Sequence, residues 1–207
     1  GRITVDDIVD VIQDEADRRI MAPAGLDEEE DIFAPVMRTS RSRALWLGVN
    51  LITAFIAATV IGRFQETISG LVALAVLMPM VALLGGNSGA QSLAVIIRAM
   101  AVGDLPRGRA WRAVRREFYV GLTNAASLAV LAGAAAWIVS GGDVKVGVVM
   151  GVGVGLNLIV AGLAGAGIPV VMRRMGLDPA LASNIFLTLV TDLVGFGGFL
   201  LTARLLL

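Results

Sequence analysis

The chain has 207 residues, of which 57% are hydrophobic and 16% charged, with 17 basic and 17 acidic residues in formal balance. Soluble domains carry about 25% charged residues, so this composition, with a mean hydropathy of +0.81, points to a chain built for lipid. Cys and His are both absent, which excludes disulfides, thiolate and imidazole metal sites, Cys nucleophiles and His general bases.

Charge is unevenly spread along the chain. Eleven of the seventeen acidic residues fall within positions 1–31, and the other six are Glu66, Asp104, Glu117, Asp143, Asp178 and Asp192. Residues 1–30 are soluble in character. A short strand at 2–5 is expected first, then a helix capped by Thr4 or Asp6, whose acidic opening suits the helix dipole. The fragment is too short to bury a core alone and is expected to be the end of a cytoplasmic domain followed by a linker, with the run at 27–31 as a solvated surface. Residues 31–43 form an amphipathic stretch ending in Arg38, Arg41 and Arg43, expected to lie along the membrane surface.

From 44 to 207 five apolar segments follow, each long enough at ~1.5 Å per residue to cross ~30 Å of hydrocarbon. They run 44–61, 68–100, 118–139, 146–172 and 179–207, so the predicted fold is an all-α membrane protein with five transmembrane helices. In this arrangement eleven arginines (Arg38, Arg41, Arg43, Arg98, Arg107, Arg109, Arg112, Arg115, Arg116, Arg173, Arg174) share one side, against Arg63, Lys145 and Arg204 on the other. That bias places the N-terminus in the cytoplasm and the C-terminus outside, in a cell membrane.

Two segments carry polar groups at membrane depth. In the last, Asp178 reads as an N-cap and Pro179 as the first helical residue. Asp192 then falls mid-helix, where a carboxylate costs roughly 2.5–3.5 kcal/mol on insertion scales and normally faces a partner or a water-filled cavity. Asn184, Thr188 and Asp192 recur every four residues and so share one helix face. The competing role for Asp192 is a structural hydrogen bond between helices. In the second segment, Pro79 and Gly85-Gly86-Asn87-Ser88-Gly89, followed by Gln91 and Ser92, predict an interrupted helix whose freed carbonyls meet hydrated cations. A glycine-rich packing seam explains the same residues equally well. Gly147, Gly151 and Gly155 read as a close helix crossing, Asn157 and Asn124 as interhelical hydrogen-bonding residues, and Glu117 as an ion pair with a neighbouring arginine. Pro169 is expected to kink or end the fourth helix, and Gly195, Gly197 and Gly198 to thin the fifth.

The segment PMVALLGGNSGAQSLAVIIRAMAVGDL (79–105) resembles the second transmembrane helix of the MgtE family of magnesium channels. The family signature there is a Pro, then GGN-[ST]-G-x-Q, then an I-I-R-x-x-A-x-x-D-L tail. GLDPALASNIFLTLVTDLVGFGGFLLTARLLL (176–207) resembles the family's fifth helix, and GRITVDDIVDVI (1–12) the end of its second CBS module. The resemblance covers the whole chain and makes 31–43 the counterpart of the connecting plug helix. Ala90 departs from the Asn common at its position and Thr188 from a smaller Ala, and both bear on ion preference.

What the resemblance implies is a homodimer whose second and fifth helices line a pore on the two-fold axis, with Asp192 facing its counterpart. Mg²⁺ would be both cargo and site-bound ion. It sheds water reluctantly and prefers octahedral oxygen, so the paired Asp192 carboxylates would hold it hydrated, with Asn184, Thr188 and Asn87 on its waters. Gly86, Ser88, Gln91 and Gly195 complete the expected ion pathway. The expected partners are Mg²⁺, membrane lipid and a second copy, with no nucleic acid. An ion-coupled exchanger of divalent cations or Na⁺ is the competing transport reading. An intramembrane aspartyl protease needs two carboxylates in one subunit and an aminoalcohol phosphotransferase several, where this chain offers one, and a scaffold leaves the buried Asp unexplained.

Overall fold

The computed structural model describes residues 4, 5, 7–9, 11, 12 and 33–207. The expected strand at 2–5, the linker and the acidic run at 27–31 lie wholly or mostly outside the described residues. Of the N-terminal segment, Val5, residues 7–9 and residues 11–12 are helical. Thr4 caps this helix reciprocally with Asp7: the Thr4 amide and hydroxyl each donate to Asp7 Oδ2 at 2.7 Å, and the Asp7 amide donates back to Thr4 Oγ1 at 3.4 Å. These bonds hold the Asp7 carboxyl below the usual carboxylate range.

The remaining elements are α1 (Val36–Gly62), a short α2 (Gln65–Gly70), α3 (Ala73–Ala101), a 3₁₀ turn (Arg107–Arg109), α4 (Ala110–Val139), α5 (Val144–Arg174) and α6 (Pro179–Leu206). Among the described residues five helices are long and apolar enough to cross a membrane, the last of these spans covering Ser183–Leu206. Residues 36–43 form the opening turns of α1 itself, with no bend before the first span. The second apolar stretch differs from expectation in where it breaks. Its interruption lies at Leu71, whose extended backbone (φ −145°, ψ 94°) ends α2.

Residues 85–89, for which a break and a packing seam are equally expected from sequence, are the unbroken middle of α3, with Gly85 and Gly89 packed against Asn157 and Leu187. In hydrocarbon every freed carbonyl needs a new partner, and the glycines recover their entropic disadvantage through close packing. Pro79 removes one main-chain donor and is tolerated within the same helix. Pro169 likewise does not end α5, which continues to Arg174.

The helix ends follow the local sequence. Asp143 Oδ1 accepts from the Lys145 amide and Asp178 Oδ1 from the Ala180 amide, each at 2.9 Å, capping α5 and α6, and Pro179 opens α6 as predicted. At the end of α5 the Gly176 amide donates to Arg173 O at 3.4 Å and the Leu177 amide to Met172 O at 3.0 Å. This closure requires a left-handed residue, supplied by Gly176 at φ 77°.

At the centre of the bundle stands α5, packed against α3, α4 and α6. Leu74 and Val81 of α3, Val149 and Val154 of α5 and Phe199 and Leu200 of α6 are fully buried in the main core. The predicted close crossing is the α4–α5 seam. A Cβ added at Gly147 would stand 2.9 Å from Gly133 O, and one at Gly151 3.0 Å from Ala129 O, so the two backbones touch with no room for side chains. In contrast, α1 packs on α6 and buries only Ala57.

Candidate ion pathway

Asn87 lies at the centre of α3 and Asp192 at the centre of α6. The two helices pack directly on each other. On one side of this level Gly89 of α3 receives the Leu187 side chain, and on the other Gly85 and Gly195 both face Asn157 of α5. These two contacts bracket Asn87 on α3 and Asp192 on α6, so the chain runs antiparallel past one shared level.

The faces these helices present explain the alternation of glycine and polar residues in 85–92. Gly85, Gly89 and Ser92 are buried, whereas Asn87, Ala90 and Gln91 are exposed and Gly86 and Ser88 half-buried. On α6, Asn184 and Thr188 are exposed and Asp192 half-buried, while Ser183, Leu187 and Thr191 between them are buried. The Thr188 hydroxyl donates to Asn184 O at 2.9 Å. Its proton is thereby committed to the helix, and its oxygen lone pairs remain as acceptors for water. A cavity of about 410 Å³ lined by Ala90, Leu93, Ala94, Ile97, Arg98, Ala101 and Asn184 joins the outer face of α3 to the start of the α6 stripe.

Of the eight residues expected on the ion pathway, seven therefore lie at or partly at the surface of the single chain. Gly195 is the exception: it is buried, and a Cβ on it would come 2.5 Å from Asn157 Nδ2, so its missing side chain makes room for that amide. The donors available are carboxylate, carboxamide and hydroxyl oxygens, a set suited to hard, hydrated cations. Among the described residues no group of three or more acidic side chains gathers in one place.

Two buried polar residues stand behind this surface, Glu117 and Asn157. Glu117 does form the expected ion pair, Arg116 Nη1 donating to Oε1 at 2.6 Å. It is also buried in α4 and accepts from Ser92 Oγ of α3 at 2.8 Å, which fastens the outward-facing helix from behind. Asn157 is the expected interhelical hydrogen-bonding residue, its Nδ2 donating to Val81 O at 2.9 Å. Asn124 is half-buried in a groove on α4 shared with Arg112, Arg115 and Arg116.

Residues 78–202 match the MgtE family, described as a divalent cation transporter. A protein of Thermus thermophilus named magnesium transporter MgtE is 34% identical over 211 aligned residues, covering 100% of this chain and 46% of its own length. The chain belongs to the MgtE family. Proteins of the same name from Enterococcus faecalis (36% identical, 93% of this chain and 42% of theirs) and Bacillus subtilis (34%, 94% and 43%) match as well. This chain thus spans somewhat less than half the length of these MgtE relatives, all of them bacterial. It is a multi-span membrane protein, and the MgtE relatives are named for transport, which sets the intramembrane enzyme reading aside.

Proposed function

We propose that this chain forms the membrane pore of a Mg²⁺ transporter of the MgtE family, acting as a channel between two copies related by a two-fold axis. The observation that carries the proposal is the placement of Asn87, Asn184, Thr188 and Asp192. They lie on or near the outside of one chain, at and below the midplane, where lipid would leave a lone carboxylate unsolvated. Half a site is thereby presented, and a second copy supplies the other half. Two Asp192 carboxylates across the axis repel one another unless a divalent cation lies between them. Mg²⁺ dehydrates reluctantly, so the carboxylates hold it through its waters, with the Asn87 carboxamide level with them and the Thr188 oxygen and Asn184 carboxamide about one and two helical turns further along the same path. An inside-negative potential draws a divalent ion inward by about 4.6 kcal/mol per 100 mV, at ~2.3 per charge, without ATP. The N-terminus faces the cytoplasm on the arginine count.

The experiment is Mg²⁺ uptake into proteoliposomes by the chain and by Asp192→Ala at equal protein. Uptake is expected to fall at least tenfold with the two-subunit assembly retained, a loss of about 1.4 kcal/mol or more in ion stabilisation. Unchanged uptake would defeat the proposal.

A further inference from the structure

Asn157 belongs to α5, which contributes nothing to the outward-facing polar stripe, and it is fully buried. Its carboxamide is wedged between two glycines. One is Gly85 of α3, where a Cβ would overlap the amide; the other is Gly195 of α6, where a Cβ would lie 2.5 Å from Nδ2 and 3.1 Å from Cγ. The bond from Nδ2 to Val81 O, at 2.9 Å, reaches the carbonyl one helical turn before Gly85, and only a residue without a side chain leaves that carbonyl open. Asn157 Oδ1 has no donor, the only buried side-chain polar atom among the described residues so placed. An unpaired buried oxygen is unfavourable, and Leu, with the same branching and no polar atom, would fill the position without it. Packing alone therefore does not account for Asn.

We infer that Asn157 is a positioning residue, which keys α3 and α6 to a common depth so that Asn87 and Asp192 stand level. The inference rests on the proposed pathway. A hydrogen bond to one carbonyl is directional, whereas apolar contacts permit helices to slide along their axes by about one 1.5 Å residue rise. Asn87 is two residues beyond Gly85, and Asp192 three residues before Gly195, so any slip at the wedge is passed directly to both polar groups. Each glycine is matched to the same side chain, which ties three separate helices into one register.

The test compares Asn157→Leu, Asn157→Ala, Gly85→Ala and the pair Gly85→Ala/Asn157→Ala in the reconstituted chain. Half-saturation for Mg²⁺ uptake, the Mg²⁺/Ca²⁺ uptake ratio and thermal unfolding are read for each. Asn157→Leu is expected to unfold within a few degrees of the parent, yet to raise half-saturation about threefold, the factor that a typical interhelical bond in a membrane represents. Gly85→Ala alone is expected to unfold well below the parent, because its methyl meets the amide, and Asn157→Ala in the same chain is expected to restore stability but not the parent half-saturation.

Unchanged half-saturation and ion ratio in both Asn157 variants would overturn the positioning role. A double variant no more stable than Gly85→Ala would overturn the wedge itself, and that readout stands even if Asn157→Leu does not fold. Should Asp192→Ala leave uptake intact, the pathway fails, while rescue of Gly85→Ala by Asn157→Ala still reports the wedge.

Discussion

Gly165→Ala separates the packing argument from helix propensity, because the two predict opposite signs. In a solvated helix interior Ala is favoured over Gly by about 1 kcal/mol, and less in lipid, where the backbone is already held helical. A Cβ at Gly165, however, would overlap the carbonyl oxygen of Gly89 and come 3.0 Å from Ser92 Cβ. The first obstacle is main chain and cannot rotate away, so α3 and α5 must separate by several tenths of an ångström at least. A gap of 0.5–1 Å forfeits a quarter to a half of each dispersion contact along the seam, and overpacking of this kind costs about 1–3 kcal/mol. Gly167, two residues on in α5, has nothing within 4 Å of its added Cβ, so Gly167→Ala carries the propensity gain without the clash. The propensity gain is common to both substitutions, so the difference between them is the clash, about 1–3 kcal/mol. Denaturant or thermal unfolding in one detergent measures it, with Mg²⁺ uptake alongside. Separation at Gly89 also displaces Ser92 and Asn87, so uptake is expected to fall with stability in Gly165→Ala and not in Gly167→Ala. A Gly165→Ala chain as stable as Gly167→Ala would refute the idea that backbone contact locks α3 to α5.

Three further outcomes follow from the same geometry. Glu117→Ala is expected to destabilise by about 1–3 kcal/mol, mostly by leaving the buried Ser92 hydroxyl unpaired, since the largely exposed Arg116 contributes little; a double-mutant cycle with Ser92→Ala should then show clear coupling, and additive losses would count against the bond. Removing the α6 cap with Asp178→Ala is expected to cost about 0.5–2 kcal/mol, measurable by unfolding, while Asp178→Asn should retain most of it. Gly176→Ala places a Cβ in the left-handed region at φ 77° and is expected to cost about 1–2 kcal/mol, whereas Gly86→Ala, with open space around it, should be neutral or slightly stabilising. A destabilised Gly86→Ala would mean that this face is packed in the assembly.

Much of the architecture was legible in the chain itself because lipid imposes a one-dimensional rule: backbone groups must pair within each segment, so apolar length alone marks the spans. The five helices, the Asp178–Pro179 start of α6, the Gly147–Gly151–Gly155 crossing and the central position of Asp192 all follow from local sequence. So does the family resemblance carried by 79–105 and 176–207. What residue order alone left open was the meaning of Gly85–Gly89. Glycine is equally at home in a broken helix and in a close crossing, and only the neighbours that fill its missing side chain distinguish them. Here those neighbours are Asn157, Leu187 and Gly165, contributed by α5 and α6 more than sixty residues away in the chain. The same holds for Gly195, turned inward by Asn157, and for Glu117, whose second partner is Ser92. Each is a contact between helices distant in sequence, which no local periodicity encodes and which exists only once the bundle has packed.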